Sequence, residues 1–160
     1  MIGKGDSIPA VSVKQMTASG PQDVNMAEYS KGRKVVIFAL PGAFTPTCSE
    51  QHLPSYIARA DDIKAKGVAA IACLSTADFF VMDAWGKSQN VGAAIDMLSD
   101  GNGEYIKATG TELDLSGAGL GMRSQRYAMV VNDGVVEAML LESSPGEATE
   151  SGAEALLKVL

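Results

Sequence analysis

The sequence predicts an α/β fold in which a central mixed β-sheet is flanked by helices. Residues 35–40 and 68–74 are continuous apolar runs, which are typical of strands covered on both faces of a sheet. Each run is followed by a segment with helical periodicity, as expected where helices connect parallel strands. Nearer the end, Asp133-Gly134 separates two further apolar segments and favours the tight turn of a hairpin.

The first helix is predicted from Cys48 to about Lys66. Pro54 lies inside this segment, and because proline lacks a backbone N–H it predicts a kink or break about one turn in. Gly67 is placed to end the helix. The helical spacing rests on five side chains: Leu53, Tyr56, Ile57, Ala60 and Ile63.

The later elements follow the same alternation of strands and helices. In chain order they are a helix over about residues 77–88, a short strand over 94–98, a helical turn over 103–108, hairpin strands over 127–132 and 135–141, and an amphipathic helix over 147–160. Parallel strands joined by right-handed helical crossovers and extended by an antiparallel hairpin form the thioredoxin-like arrangement.

Composition limits the classes of protein that this chain can be. We expect one domain over residues 1–160, because this length supports one ordinary core. The net charge of −6 argues against nucleic-acid or anionic-membrane binding. The longest apolar run, residues 35–40, is far shorter than the roughly 18 residues of a membrane span. Two cysteines and no recognisable secretory signal favour a reducing compartment, so we expect a cytoplasmic protein.

A turn rich in Pro, Gly and Thr delivers Cys48 to a predicted helix start. A helix N-terminus favours the anionic form of a thiol, and that anion is a strong nucleophile. Thr45 offers a hydroxyl that can donate to the sulfur or to a bound oxygen. Pro41 and Pro46 stiffen the turn, and Arg126, next to the hairpin, is the candidate cation. We therefore expect a reactive cysteine.

The segment Pro41-x-x-x-Thr45-x-x-Cys48 resembles the active-site signature of the peroxiredoxins. The longer stretch over residues 41–54 resembles the type II, peroxiredoxin-5-like subfamily. The resemblance covers almost the whole chain and continues through residues 73–75, 80–85, 117–121 and 126–134.

This resemblance implies a thioredoxin-fold peroxidase that reduces hydrogen peroxide and alkyl hydroperoxides with electrons from thiols. It implies that Cys48 is the peroxidatic nucleophile, which passes through a sulfenic acid. Thr45 would hydrogen-bond the thiolate and the peroxide, Pro41 would shield the site, and Arg126 would hold both reactants. The resemblance also implies a homodimer, and no metal or organic cofactor.

The route back to the thiolate is left open by the sequence. Relatives that resolve the sulfenic acid near the C-terminus carry a cysteine there, but residues 145–152 contain none. The remaining thiol, Cys73, is expected to be a buried core residue, and a Cys48–Cys73 disulfide is the alternative. An external thiol would then act as reductant. The resemblance favours glutathione with glutaredoxin, with thioredoxin as second choice.

Several other interpretations compete with a peroxidase. The first is a peroxide-sensing switch in which the oxidised Cys48 alters partner contacts. The disulfide of a Cys-x-x-Cys motif is excluded, because Thr45 stands where such a motif ending at Cys48 would carry its other cysteine. For the same reason a monothiol glutathione-dependent reductase is a weaker alternative than the switch. His52 is interpreted as a structural hydrogen-bonding residue rather than a metal ligand or a catalytic partner of the thiol. Arg123 is interpreted as a surface residue.

Overall fold

A computed structural model describes residues 1–160, and a seven-stranded mixed sheet forms its centre. In chain order its strands are β1 (Ser12–Thr17), β2 (Gly20–Asn25), β3 (Lys34–Ala39), β4 (Ala70–Ser75), β5 (Asp96–Ser99), β8 (Tyr127–Asn132) and β9 (Val135–Leu141). Their order across the sheet is β2-β1-β5-β4-β3-β8-β9. A separate small sheet pairs β6 (Glu112–Asp114) with β7 (Met122–Ser124).

The helices lie on both faces of the large sheet and cover two apolar clusters. They are α1 (Met26–Ser30), a π-helical turn (Cys48–His52), α2 (Leu53–Lys64), α3 (Phe79–Ser88), α4 (Glu104–Thr109) and α5 (Ala153–Leu157). This architecture confirms the predicted α/β fold with a mixed sheet flanked by helices. No helix is long and apolar enough to span a lipid bilayer.

The central strand β3 determines where the chemistry can occur. It pairs in parallel with β4 and antiparallel with β8. Ala39, at its carboxyl end, therefore lies opposite Tyr127, the first residue of β8. Residues 35–39 are fully buried because side chains of both clusters cover the two faces of the strand. The register brings the loop that follows β3 beside Arg126, although the two are far apart in sequence.

Most of the predicted elements are present within about two residues of their expected bounds. The hairpin is confirmed over residues 127–132 and 135–141. Asp78 caps α3 by accepting a 2.9 Å hydrogen bond from the backbone N–H of Val81. The break expected at Pro54 is also confirmed. The backbone changes there from the π-helical turn to α2, and Pro54 occupies the first turn of α2, where a missing N–H costs little.

The predicted helix over residues 147–160 is wrong in length. Only Ala153–Leu157 are helical, and residues 142–152, hereafter the C-terminal loop, connect β9 to α5. Within this loop the backbone folds back so closely that an added Cβ at Gly152 would approach the carbonyl oxygen of Ala148 to 2.7 Å. Local amphipathic spacing therefore yields to loop packing. The sequence reasoning also left out the β1–β2 hairpin and the small second sheet.

Candidate active site

Cys48 lies at the start of the helical segment that follows β3, as predicted. The helical backbone begins at Pro46, where the missing N–H needs no partner. The backbone N–H of Leu53 donates to the carbonyl of Cys48, and this longer-range bond defines the π-helical turn. Cys48 is a free thiol, and its side chain is completely buried. Its reactivity therefore depends on the groups packed against it.

The guanidinium of Arg126 makes three hydrogen bonds, and each uses a different nitrogen. Nη2 donates to the sulfur of Cys48 at 3.2 Å, Nη1 donates to Nδ1 of His52 at 3.0 Å, and Nε donates to the carbonyl oxygen of Pro145 at 3.0 Å. Arg126 is only 3% exposed. Three fixed directions orient the planar cation, and a buried guanidinium stabilises negative charge that develops beside it.

The partners of His52 determine its tautomer. Arginine can only donate, so Nδ1 of His52 accepts from Arg126, and Nε2 therefore carries the proton and donates to the carbonyl of Ser151 at 3.1 Å. Burial and the charge of Arg126 lower the pKa of His52 to about 3, so the ring is neutral at physiological pH. The structural interpretation of His52 is confirmed. Both ring nitrogens are occupied by these hydrogen bonds.

Thr45 and Pro41 lie in the loop before Cys48, where they were expected. The hydroxyl of Thr45 donates to the carbonyl of Gly42 at 2.7 Å, not to the sulfur, so its predicted bond to the thiolate or the peroxide stays a prediction. Pro41 is buried. The structure therefore places both residues in the loop that leads to Cys48, with the Thr45 hydroxyl bound inside that loop.

Arg123 is not the surface residue that we expected. It is half-buried, and its guanidinium donates to the carbonyl oxygens of Pro41 at 3.2 Å and Leu120 at 2.8 Å. These bonds tie the loop before Cys48 to the segment that leads into β7. An added Cβ at Gly42 would approach Nη1 of Arg123 to 2.7 Å, so glycine is needed for this contact. Arg123 lies 82 positions from Pro41 along the chain, so no local sequence signal indicated this contact.

Comparison with known proteins identifies the family. The sequence model of the Redoxin family matches residues 3–157. Peroxiredoxin-2E-2, a chloroplastic protein of rice (Oryza sativa subsp. japonica), is 48% identical over 164 residues, which cover 99% of this chain and 72% of that protein. The chain belongs to the peroxiredoxin family.

Solved structures refine this assignment within the peroxiredoxins. Reduced Prx3 from Vibrio vulnificus, in complex with hydrogen peroxide, matches with a TM-score of 0.93 and 48% identity over 99% of this chain and 98% of that one. Peroxiredoxin 5 from Alvinella pompejana matches with a TM-score of 0.84 and 36% identity over 99% and 98%. This peroxiredoxin is a type II, peroxiredoxin-5-like member with a thioredoxin fold, and it is a thiol-dependent peroxidase.

Cys73, the second thiol of this peroxiredoxin, is completely buried on β4 opposite Phe38 of β3. The expectation that it is a core residue is confirmed. Burial raises the pKa of Cys73 well above its ordinary value, and the nearby Cys48 raises it further, while Arg126 opposes them. In this conformation Cys73 is therefore a protonated, poorly reactive thiol.

The C-terminal loop contributes to the site through backbone carbonyls that the sequence reasoning missed. Besides Pro145, which binds Arg126, the carbonyl of Gly146 accepts from the hydroxyl of Thr47 at 3.0 Å. The carbonyl of Ser151 accepts from His52 at 3.1 Å and from the hydroxyl of Tyr56 at 2.7 Å. The turn-forming residues 143–146 were the available signal that this segment is a loop rather than a helix.

Proposed function

We propose that Cys48 is the peroxidatic nucleophile of this peroxidase and that it reduces hydrogen peroxide and alkyl hydroperoxides. The observation that carries the proposal is the 3.2 Å bond from Nη2 of Arg126 to the Cys48 sulfur. The Cys48 thiolate attacks the terminal peroxide oxygen. An S–O bond forms, the O–O bond breaks, and the leaving oxygen takes up a proton to become water or an alcohol. Cys48 becomes a sulfenic acid.

The neighbouring groups support this chemistry by their positions. Arg126 donates to the sulfur and stabilises the charge that develops on the leaving oxygen. Thr45 turns its hydroxyl hydrogen from the Gly42 carbonyl towards the peroxide when the substrate binds. Buried Pro41 excludes water from the thiolate. The charge on the leaving oxygen develops only in the transition state, so the interaction of Arg126 with that oxygen lowers the barrier.

The reductant that we propose is glutathione with glutaredoxin, and thioredoxin is the second choice. Glutathione thiolate attacks the sulfenic sulfur of Cys48, so that an S–S bond forms, the S–O bond breaks and the oxygen leaves as water after taking up a proton. A second thiol then attacks the glutathione sulfur of this mixed disulfide, which releases Cys48 and leaves glutathione in a disulfide with the second thiol. The complete burial of Cys73 and the lack of cysteine in the C-terminal loop support an external reductant. Both Cys48 and Cys73 are free thiols in this structure.

We also propose a homodimer formed through the surface around the site. Three large apolar side chains are strongly exposed: Phe44, in the loop before Cys48, at 58%, Phe80, on α3, at 66%, and Met122, on β7, at 48%. Met122 and Val81 line one shallow depression with Ala43, close to the loop before Cys48. Exposed apolar groups of this kind mark protein interfaces. Equilibrium sedimentation of the wild type and of Met122→Glu tests this, since the variant should be monomeric.

A cytoplasmic location is the remaining part of the proposal. Two free thiols suit a reducing compartment, where structural disulfides are rare. Fractionation of the native host, followed by antibody detection, would contradict it if the protein were found in an oxidising compartment.

The experiment that tests the function is mass mapping after one equivalent of peroxide, without reductant and with a sulfenic-acid trap. A trapped adduct on Cys48 alone supports a one-cysteine peroxidase. A Cys48–Cys73 disulfide would make Cys73 the resolving residue. Survival of both thiols would contradict the proposed role of Cys48. Multiple turnover with glutathione and glutaredoxin, retained in Cys73→Ser, distinguishes the enzyme from a sensor that keeps a persistent Cys48 adduct.

A further inference from the structure

We propose that Glu142 is a positioning residue of the peroxidase site, which holds Arg126 against Cys48 by folding the C-terminal loop. This inference rests on the proposed roles of Cys48 and Arg126. Glu142 directly follows β9 and does not contact the thiol or the guanidinium through its side chain. Its influence passes through backbone carbonyls, one step at a time.

The first step is the capture of the C-terminal loop by the carboxylate. Five hydrogen bonds converge on it. Oε1 accepts from the N–H and hydroxyl of Thr149 at 2.9 and 3.1 Å and from the N–H of Glu150 at 2.9 Å. Oε2 accepts from the N–H and hydroxyl of Ser151 at 2.7 and 2.6 Å. A single side chain therefore fixes three consecutive residues of the loop.

The charge state of Glu142 suits this role. Burial by itself raises the pKa of the carboxyl, but the hydrogen bonds from Ser151, Glu150 and Thr149 outweigh burial and lower it below the ordinary value. Glu142 is therefore ionised at neutral pH, and an ionised carboxylate offers only acceptors. Bonds of this charge-assisted kind are stronger than those between neutral groups.

The second step is the presentation of carbonyl groups to the site. With residues 149–151 fixed, the carbonyl of Ser151 accepts from Nε2 of His52 and so keeps Nδ1 free to accept from Arg126. At the other end of the C-terminal loop, Pro145 accepts directly from Nε of Arg126. The backbone N–H of Glu142 itself donates to the carbonyl of Arg126 at 3.0 Å.

The third step is the orientation of the Arg126 guanidinium. Two of the three acceptors that orient the guanidinium, His52 and Pro145, depend on the C-terminal loop, and the third is the Cys48 sulfur. No carboxylate oxygen lies within ion-pair distance of Arg126. A carboxylate in direct contact would compete with the sulfur for the charge of Arg126. An indirect carboxylate orients the cation and leaves its charge available to the sulfur and the peroxide.

The test compares Glu142→Gln with Glu137→Gln, a variant of the exposed glutamate on β9 that makes the same change in charge. In Glu142→Gln the new side-chain NH₂ group would face N–H donors, so the loop should loosen. We expect the rate constant for single-turnover oxidation by hydrogen peroxide to fall about tenfold. The pH profile of that reaction should shift to higher pH. Glu137→Gln should match the wild type in both measurements.

A double-mutant cycle separates positioning from general damage. If Glu142 acts through Arg126, Glu142→Gln should add little to the loss caused by Arg126→Lys, whereas independent effects would add. An additive cycle, or a folded Glu142→Gln protein with the wild-type rate and pH profile, overturns the inference. Circular dichroism at the assay temperature establishes folding.

A milder variant keeps the test decisive if Glu142→Gln does not fold. Ser151→Ala removes one of the five donors and leaves the backbone bonds in place. It should shift the pH profile in the same direction by a smaller amount, and an unchanged profile overturns the inference. Cys48→Ser is measured in parallel. Residual peroxide consumption there would contradict the proposed function, whereas a null result at Glu142 with inactive Cys48→Ser contradicts only the role of Glu142.

Discussion

Cys48 and Cys73 lie in the same apolar cluster and are both completely buried, yet their surroundings differ in kind. Cys48 lies in the first turn of a helical segment and accepts a hydrogen bond from Arg126. Cys73 lies on β4, which pairs in parallel with the strands on both sides of it, and burial there raises the pKa of its thiol. Burial alone therefore does not distinguish the two thiols. They differ in the hydrogen bond that Arg126 donates to the Cys48 sulfur.

The largest expected difference between the two thiols is in peroxide consumption. Cys48→Ser should lower it by at least about a thousandfold, because a serine hydroxyl is a poor nucleophile at neutral pH. Cys73→Ser should retain the wild-type rate constant. Stopped-flow fluorescence of Trp85, whose indole N–H donates to Ser49 beside Cys48, provides the signal. Equal losses in the two variants would contradict the comparison.

The second-largest effect is expected from a substitution that removes the guanidinium of Arg126 and keeps its positive charge. Arg126→Lys retains a cation but loses the planar fork that contacts Cys48, His52 and Pro145 together. We expect the peroxide rate constant to fall about a hundredfold, in the range seen for loss of one oxyanion donor. Arg59→Lys, at an exposed ion pair, is the matched control. A loss no larger than that of the control would show that charge alone suffices beside Cys48.

The neutral His52 gives the site an acid-sensitive stability that Cys73 lacks. In the unfolded chain His52 takes up a proton near pH 6.5, whereas in the folded protein it does so only near pH 3. Between these values the unfolded state binds more protons, so the free energy of unfolding falls as the pH falls. One such group contributes up to about 1.4 kcal/mol per pH unit.

Urea unfolding at several pH values from 7 to 4.5 measures this contribution. His52→Phe keeps an aromatic ring beside Phe38, where the two rings meet at a tilt of 52°, and removes both nitrogens. The slope of stability against pH should be smaller in the variant, while the carboxylates contribute equally to both proteins. Identical slopes would mean that His52 takes up its proton at the same pH in the folded and unfolded states, contrary to a pKa lowered by burial and by Arg126.

The smallest effect concerns Cys73 itself. Cys73→Ala removes a buried sulfur atom and leaves a small cavity, which should lower the free energy of unfolding by about 1 kcal/mol. The peroxide rate constant should not change. A loss of turnover with glutathione and glutaredoxin, with the first oxidation intact, would instead make Cys73 a participant in recycling.

Sequence patterns predicted correctly those elements whose conformation depends on residues within the element itself. The apolar run over residues 35–40, the Asp133-Gly134 turn and the break at Pro54 each follow from their own residues. The C-terminal loop does not, because Glu142, which lies outside the segment predicted as a helix, binds Thr149 and Ser151 within it. Helical spacing there was real but was outweighed by tertiary packing.

The residues of the site also fall into two groups, those placed by the neighbouring sequence and those placed by tertiary contacts. Cys48 at a helix start follows from the turn that precedes it. Its contact with Arg126 spans 78 positions along the chain and depends on the register between β3 and β8, which no local pattern encodes. Family resemblance indicated this pair, whereas His52, Arg123 and Glu142 act through contacts that only the folded chain reveals.

The burial of Arg126 against the Cys48 sulfur also bears on how the site behaves at high salt. Added salt screens charges over a Debye length of about 8 Å at physiological ionic strength, but it acts weakly on buried pairs. The 3.2 Å contact to Cys48 is inside the protein, and hydrogen peroxide carries no charge to be steered. Peroxide removal should therefore proceed at nearly the same rate in dilute buffer and in concentrated brine. A cell that loses water would therefore retain the oxidation of Cys48 by peroxide while interactions between exposed charges are screened.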